Sequence, residues 1–129
     1  MKDGTNLIID YKTGQNVSLS QLTGDPLDQA QLPIYAITNP VAGIAFATVN
    51  SKDCQFKAIT KNKFDLPLSQ QAIKRMPEWN KQVSEWKSEL NSASQKFQEG
   101  VAEVLPTINA CNYCDYDLLC RFEKSGNNR

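Results

Sequence analysis

The segment Leu7-Ile8-Ile9-Asp10-Tyr11-Lys12-Thr13-Gly14 delivers an acid and a lysine two residues apart from a short apolar run, then stops at a glycine. A short run rich in β-branched and aromatic residues and closed by glycine reads as a strand, and residues 6–12 are predicted to form a buried one. Side chains alternate faces along a strand, so Asp10 and Lys12 share one face while Leu7, Ile9 and Tyr11 share the other. A carboxylate so placed can hold Mg²⁺ or Mn²⁺, and a neighbouring ammonium can orient or activate a water or stabilise charge on a phosphate. That chemistry cuts phosphodiester bonds. A solvated ion pair on an exposed edge strand has the same local sequence, so the rest of the chain has to decide between them.

Downstream, Thr13 to Gly24 reads as a polar loop facing a substrate, with Gly14 allowing the turn. Asp25-Pro26 supplies an N-cap and a first-turn proline, and Leu27, Ala30, Ile34 and Ile37 follow at spacings of an amphipathic helix. Pro33 cannot donate a helical hydrogen bond, which predicts a kink or a late helix start. Gln31 and Tyr35 lie four apart on one face, as a site-flanking pair or as a polar residue beside a half-buried tyrosine. Gly43–Val49 and Cys54–Ile59 read as a hairpin joined by Asn50-Ser51-Lys52-Asp53. Pro77 opens a long helix on which Trp79, Val83, Trp86, Leu90, Ala93 and Phe97 recur at steps of four and three. Such a stripe predicts core packing rather than tryptophans stacked on nucleobases. Gly100 ends or interrupts the helix before Val101–Leu105, and Pro106 stops it.

A chain of 129 residues with 40% hydrophobic content can build one core. Fourteen basic residues balance fourteen acidic ones, which argues against a tight grip on duplex DNA by this chain alone. There is no histidine, so none can serve as a general base or metal ligand. No apolar run approaches the ~20 residues of a membrane span and no signal-peptide pattern opens the chain, which predicts a soluble, cytoplasmic protein without a membrane partner. Cytosolic cysteines read as metal ligands or thiols. Cys111, Cys114 and Cys120 cluster, suiting a zinc site or no site at all, while Cys54 reads as a buried core thiol. A small metal-stabilised interaction domain built on the three clustered cysteines is therefore one functional reading.

The ordered set of "LIIDYKTG", "QLPIY", the strand pair "GIAFATVN" and "CQFKAI", the tryptophan helix and the terminal "CNYCDYDLLCRF" resembles the RecB-like branch of the PD-(D/E)xK nuclease superfamily. It is most similar to the iron–sulfur nuclease domains of helicase–nucleases of the AddB kind. The resemblance implies an α/β fold with a restriction-endonuclease-like mixed sheet flanked by helices. It implies that Asp10 and the Tyr11 carbonyl oxygen hold Mg²⁺ or Mn²⁺, that Lys12 is catalytic, and that Gln31 and Tyr35 position the DNA strand. Cys111, Cys114 and Cys120 correspond to three ligands of a [4Fe–4S] cluster whose fourth comes from far upstream.

The family also places an acid on the strand before Asp10 and a His or Glu on an earlier helix. Neither has a place here, and the turn signal Asp3-Gly4 has nothing to turn from. The expectation is an N-terminally truncated, C-terminal part of one nuclease domain over residues 1–129. Residues 1–60 would give the sheet and active-site helix, 69–105 the long packing helix and 106–129 the cysteine tail. The cluster is expected in a full-length parent and not in this chain, which alone would be nearly inactive. The implied parent is a DNA exonuclease of repair or recombination working with a helicase domain or subunit; the other reading is a non-catalytic nuclease-like module for DNA binding or assembly. The edge left beside residues 6–12 invites pairing with a second copy.

Overall fold

The computed structural model describes residues 5–14, 17–24, 27–49, 54–104, 106 and 110–120. The elements are β1 (Ile8–Lys12), α1 (Ser20–Thr23), α2 (Gln31–Thr38), β2 (Gly43–Val49), β3 (Cys54–Thr60), α3 (Gln70–Arg75) and α4 (Trp79–Gln98). A 3₁₀ turn (Ala110–Tyr113) and α5 (Asp117–Cys120) follow. The strands form one mixed sheet in the order β1-β2-β3, with β1 parallel to β2 and β2 antiparallel to β3. Parallel neighbours need a crossover, and α2 supplies it by packing on both β1 and β2. This is the mixed sheet flanked by helices that the sequence implied.

Register partners share a sheet face, so one face carries three cross-strand rows. They are Ile8–Ile44–Ile59, Asp10–Phe46–Lys57 and Lys12–Thr48–Gln55. The core sits against this face, where Ile44, Phe46 and Ile59 cluster with Val17 and Leu22 from the loop and α1, and with Leu32 and Ala36 from α2. Met76, Trp79 and Trp86 complete the cluster. Trp86 is fully buried and donates its indole N–H to the Leu22 carbonyl at 2.6 Å. Trp79 meets it edge-to-face with ring centroids 6.0 Å apart, so both tryptophans are core residues.

Local chemistry sets the helix ends. Pro33 falls in the first turn of α2, where its missing N–H is not needed, so the outcome is a late start. Leu27–Ala30, expected inside the helix, precede it; the expected cap at Asp25 and Pro26 lies outside the described residues. The Glu78 carboxylate caps α4 by accepting from the N–H of Asn80 at 3.0 Å and of Lys81 at 2.6 Å, leaving Pro77 just before the cap. At the other end Gly100 takes φ +74°; its N–H reaches the Phe97 carbonyl and the Val101 N–H reaches Lys96. This paired capping ends the helix, and residues 101–104 do not continue it.

Four burial expectations are corrected. Strand β1 is half-buried, with Tyr11 70% exposed, because it forms one edge of the described sheet. The 13–24 segment is not simply a polar loop, since Val17 and Leu22 plug the core. Cys54 is exposed rather than buried, opposite exposed Val49 at the end of the β2–β3 ladder. Ala93 and Phe97 leave the core stripe, Phe97 being 85% exposed. A 20-residue helix is ~30 Å long, whereas a seven-residue strand spans ~23 Å, and residues 91–98 at the end of α4 are all exposed.

Candidate active site

The alternation of β1 sends Asp10 and Lys12 to the helix-covered face, beyond the apolar Ile8 row. Lys12 Nζ lies 2.9 Å from Asp10 Oδ2, and both side chains are about one-third exposed. The same ammonium stands 5.4 Å from the centroid of the Phe46 ring. Carboxylate on one side and aromatic face on the other restrict where Lys12 can go, while partial exposure leaves the pair accessible. The sequence expected these two residues together, and the structure brings them together.

Gln31 and Tyr35 also meet, the Gln31 side-chain amide donating to the Tyr35 hydroxyl at 3.4 Å. Both are exposed on α2, whose buried positions Leu32, Pro33 and Ala36 face the other way. Because α2 packs on β1, this polar pair is carried by the element adjoining the Asp10–Lys12 strand.

Sequence reading passed over Lys57. It lies in the Asp10–Phe46 row and donates from Nζ to the Val17 carbonyl, tying β3 to the segment that follows β1. Its signal was available, since in Gln55-Phe56-Lys57-Ala58-Ile59 the lysine alternates in phase with core residue Ile59. An inward cation is unusual enough to warrant a role.

The cysteines behave differently. Cys111 is half-buried in the 3₁₀ turn, Cys114 follows it, and Cys120 ends α5; Cys114 and Cys120 are exposed, and none of the three is in a disulfide. Among the described residues, no group of three or more His, Cys, Asp or Glu is placed to hold a metal ion. The thiols have the right chemistry for iron–sulfur ligation, but their arrangement does not fit a cluster.

The family model of the PD-(D/E)XK nuclease superfamily matches residues 1–121. The chain belongs to that superfamily. No curated protein and no solved structure matches it. Membership makes this a nuclease fold whose members typically use Mg²⁺ or Mn²⁺ and act on DNA. Magnesium is commonly bound through one or two carboxylates with waters and substrate phosphates, and the accessible Asp10 carboxylate fits that mode as a single anchor. No helix among the described residues is long and apolar enough to cross a membrane.

Proposed function

We propose that this chain forms part of a metal-dependent exonuclease domain that hydrolyses DNA phosphodiester bonds beside a helicase in repair or recombination. What carries the reading is the Asp10–Lys12 pair, held at 2.9 Å on one strand in a chain of nuclease-superfamily membership. A bound Mg²⁺ or Mn²⁺ would supply Lewis-acid polarisation of the phosphate and a more acidic water. Asp10 and the Tyr11 carbonyl oxygen are its proposed ligands. Lys12 offers an ammonium that can exchange its contact with Asp10 for a water or a phosphate oxygen, placing positive charge where the phosphorane builds negative charge. Gln31 and Tyr35 orient the strand through their amide and hydroxyl.

The test is Mg²⁺-dependent degradation of linear DNA by a longer parent carrying this chain's whole nuclease domain, beside the same parent with Lys12→Ala. The expected outcome is cleavage that a chelator stops and the variant loses. Chelator-insensitive cleavage, or cleavage that survives Lys12→Ala, would remove the assignment.

A second reading, a nuclease-like module that binds DNA or assembles a complex without cutting, is favoured by one observation. No metal-holding group of three joins Asp10 among the described residues. DNA binding with no cleavage by the folded longer parent would select it. The AddB-like resemblance adds a [4Fe–4S] cluster on Cys111, Cys114 and Cys120 in a longer parent. Spacing supports that, while the dispersed thiols lead us to expect iron far below one cluster per chain in anaerobically purified protein. Stoichiometric iron and sulfide would reverse this expectation.

A further inference from the structure

Beside the outer edge of β3 lies a groove of about 640 Å³, walled by β3, the loop leading into α1, and α3. Its lining includes Ser18, Gln55, Phe56, Lys57, Gln71 and Arg75, and among the described residues contains no aspartate or glutamate. Two cations with no acid among the described lining residues make this a positive concavity in a chain of zero net charge. Lys57 is fixed at its wall by the bond to the Val17 carbonyl, which uses one of the three donors of an ammonium. Ser18, Gln55 and Gln71 add hydroxyl and amide donors suited to phosphate oxygens, and Phe56 adds an aromatic face.

The groove shares two cross-strand rows with the candidate active site. Lys12, Thr48 and Gln55 form one cross-strand row, and Asp10, Phe46 and Lys57 form the next. With neighbouring strands ~4.8 Å apart, Gln55 stands ~10 Å from Lys12 across the sheet. Thr48 braces that row, its hydroxyl donating to the Gln55 carbonyl at 3.1 Å and accepting from the Gln55 N–H at 3.3 Å.

We propose that this groove carries the single DNA strand on one side of the bond to be cut, with Lys57 and Arg75 on consecutive phosphates and a base against Phe56. The assignment of what happens next to that strand rests on the nuclease reading above; the binding itself does not. A groove with separated cations, neutral donors and one aromatic face suits a phosphate backbone with exposed bases better than an acidic peptide, which offers nothing to stack.

The test is fluorescence anisotropy of a short labelled oligothymidylate with the full chain in excess chelator, across a salt series. Arg75→Gln, Gln71→Glu and Lys57→Gln are each expected to weaken binding about three- to tenfold. Loss of either cation should make the salt dependence shallower by ~0.7 in log–log slope. Lys57→Gln also removes the tie to Val17, so the two α3 variants, both at exposed positions, decide the matter. Wild-type binding that all three variants retain, no wild-type binding at low salt, or displacement by polyglutamate as effective as by oligothymidylate would overturn the proposal. Because no divalent metal is present, the groove falls or stands separately from Lys12-dependent cleavage.

Discussion

The two ends of one sheet face differ sharply in what they ask of the chain. At one end Ile44 and Ile59 are fully buried, with Ile8 packed beside them. Two rows further on, Lys12, Thr48 and Gln55 occupy equivalent positions, with Asp10 and Lys57 between. The backbone hydrogen-bond ladder is continuous across both ends, so the difference lies wholly in side chains. Dry packing stabilises the fold, and the charged rows are supported by it while contributing little stability of their own. A third-exposed ion pair is worth ~0.2–1 kcal/mol, against ~1.5–3 kcal/mol for each large apolar side chain buried at the other end.

That division can be broken first at the dry end. Trp86→Ala is expected to cost ~3–5 kcal/mol by leaving a cavity among Leu22, Ile44 and Ile59. Trp86→Phe keeps most of the volume and removes the donor to the Leu22 carbonyl, for ~1–3 kcal/mol. Denaturant melts give both values. A loss below 1 kcal/mol for the alanine variant would mean that Trp86 is not the keystone described here.

At the charged end Lys12→Ala should invert this pattern. Cleavage by the longer parent is expected to fall ~10²–10³-fold, the scale for removing one preorganised electrostatic donor. Stability is expected to change by no more than ~1 kcal/mol. Initial rates and a melt on the same preparation test it, and a fall in stability matching the fall in activity would place Lys12 with the structural residues instead.

What could be read in the sequence follows the same division. Short apolar or β-branched runs bounded by turn residues gave β1, β2 and β3 nearly to the residue, although β2 is buried on both faces. Asp10 and Lys12 were legible because spacing of two puts them on one face, and Gln31 and Tyr35 because spacing of four does the same on a helix. Burial was less legible wherever tertiary reach decides it. The period that correctly buried Trp79 and Trp86 continues to Phe97, but nothing among the described residues covers the helix there. Likewise Leu22 lies in a polar stretch, and its burial depends on Trp86, 64 residues away. The groove beside β3 has no local signature, because it joins residues from three separate segments.

A smaller effect is expected at the margin of the dry end. A Cβ on Gly43 would stand 2.6 Å from Thr60 Cγ2, 2.7 Å from Leu7 Cδ2 and 3.0 Å from the Thr60 Cα. The last is backbone and cannot swing aside. Gly43→Ala should therefore cost ~1–3 kcal/mol by overpacking, read as a lower denaturant midpoint with an unchanged slope. Equal stability would mean that β2 and β3 can part without loss.

The smallest effect concerns the cap of the helix that carries both tryptophans, and it separates the two ends by pH. Hydrogen bonds from the backbone N–H of Lys81 and then of Asn80 hold the Glu78 carboxyl below its ordinary value of 4.5. A depressed carboxyl pKa contributes stability that is fully present above the unfolded value and lost as pH falls through the folded one. Wild type should exceed Glu78→Gln in stability near neutral pH, and the gap should close in acid once Glu78 is protonated. Because Glu78 caps the α4 N-terminus and is not part of the charged sheet rows, the variant should leave cleavage by the longer parent unchanged at neutral pH while losing this acid-sensitive increment. A gap that persisted unchanged in acid would assign the cap to backbone geometry alone, and a parallel loss of cleavage would show that the dry end and the charged end are coupled through α4.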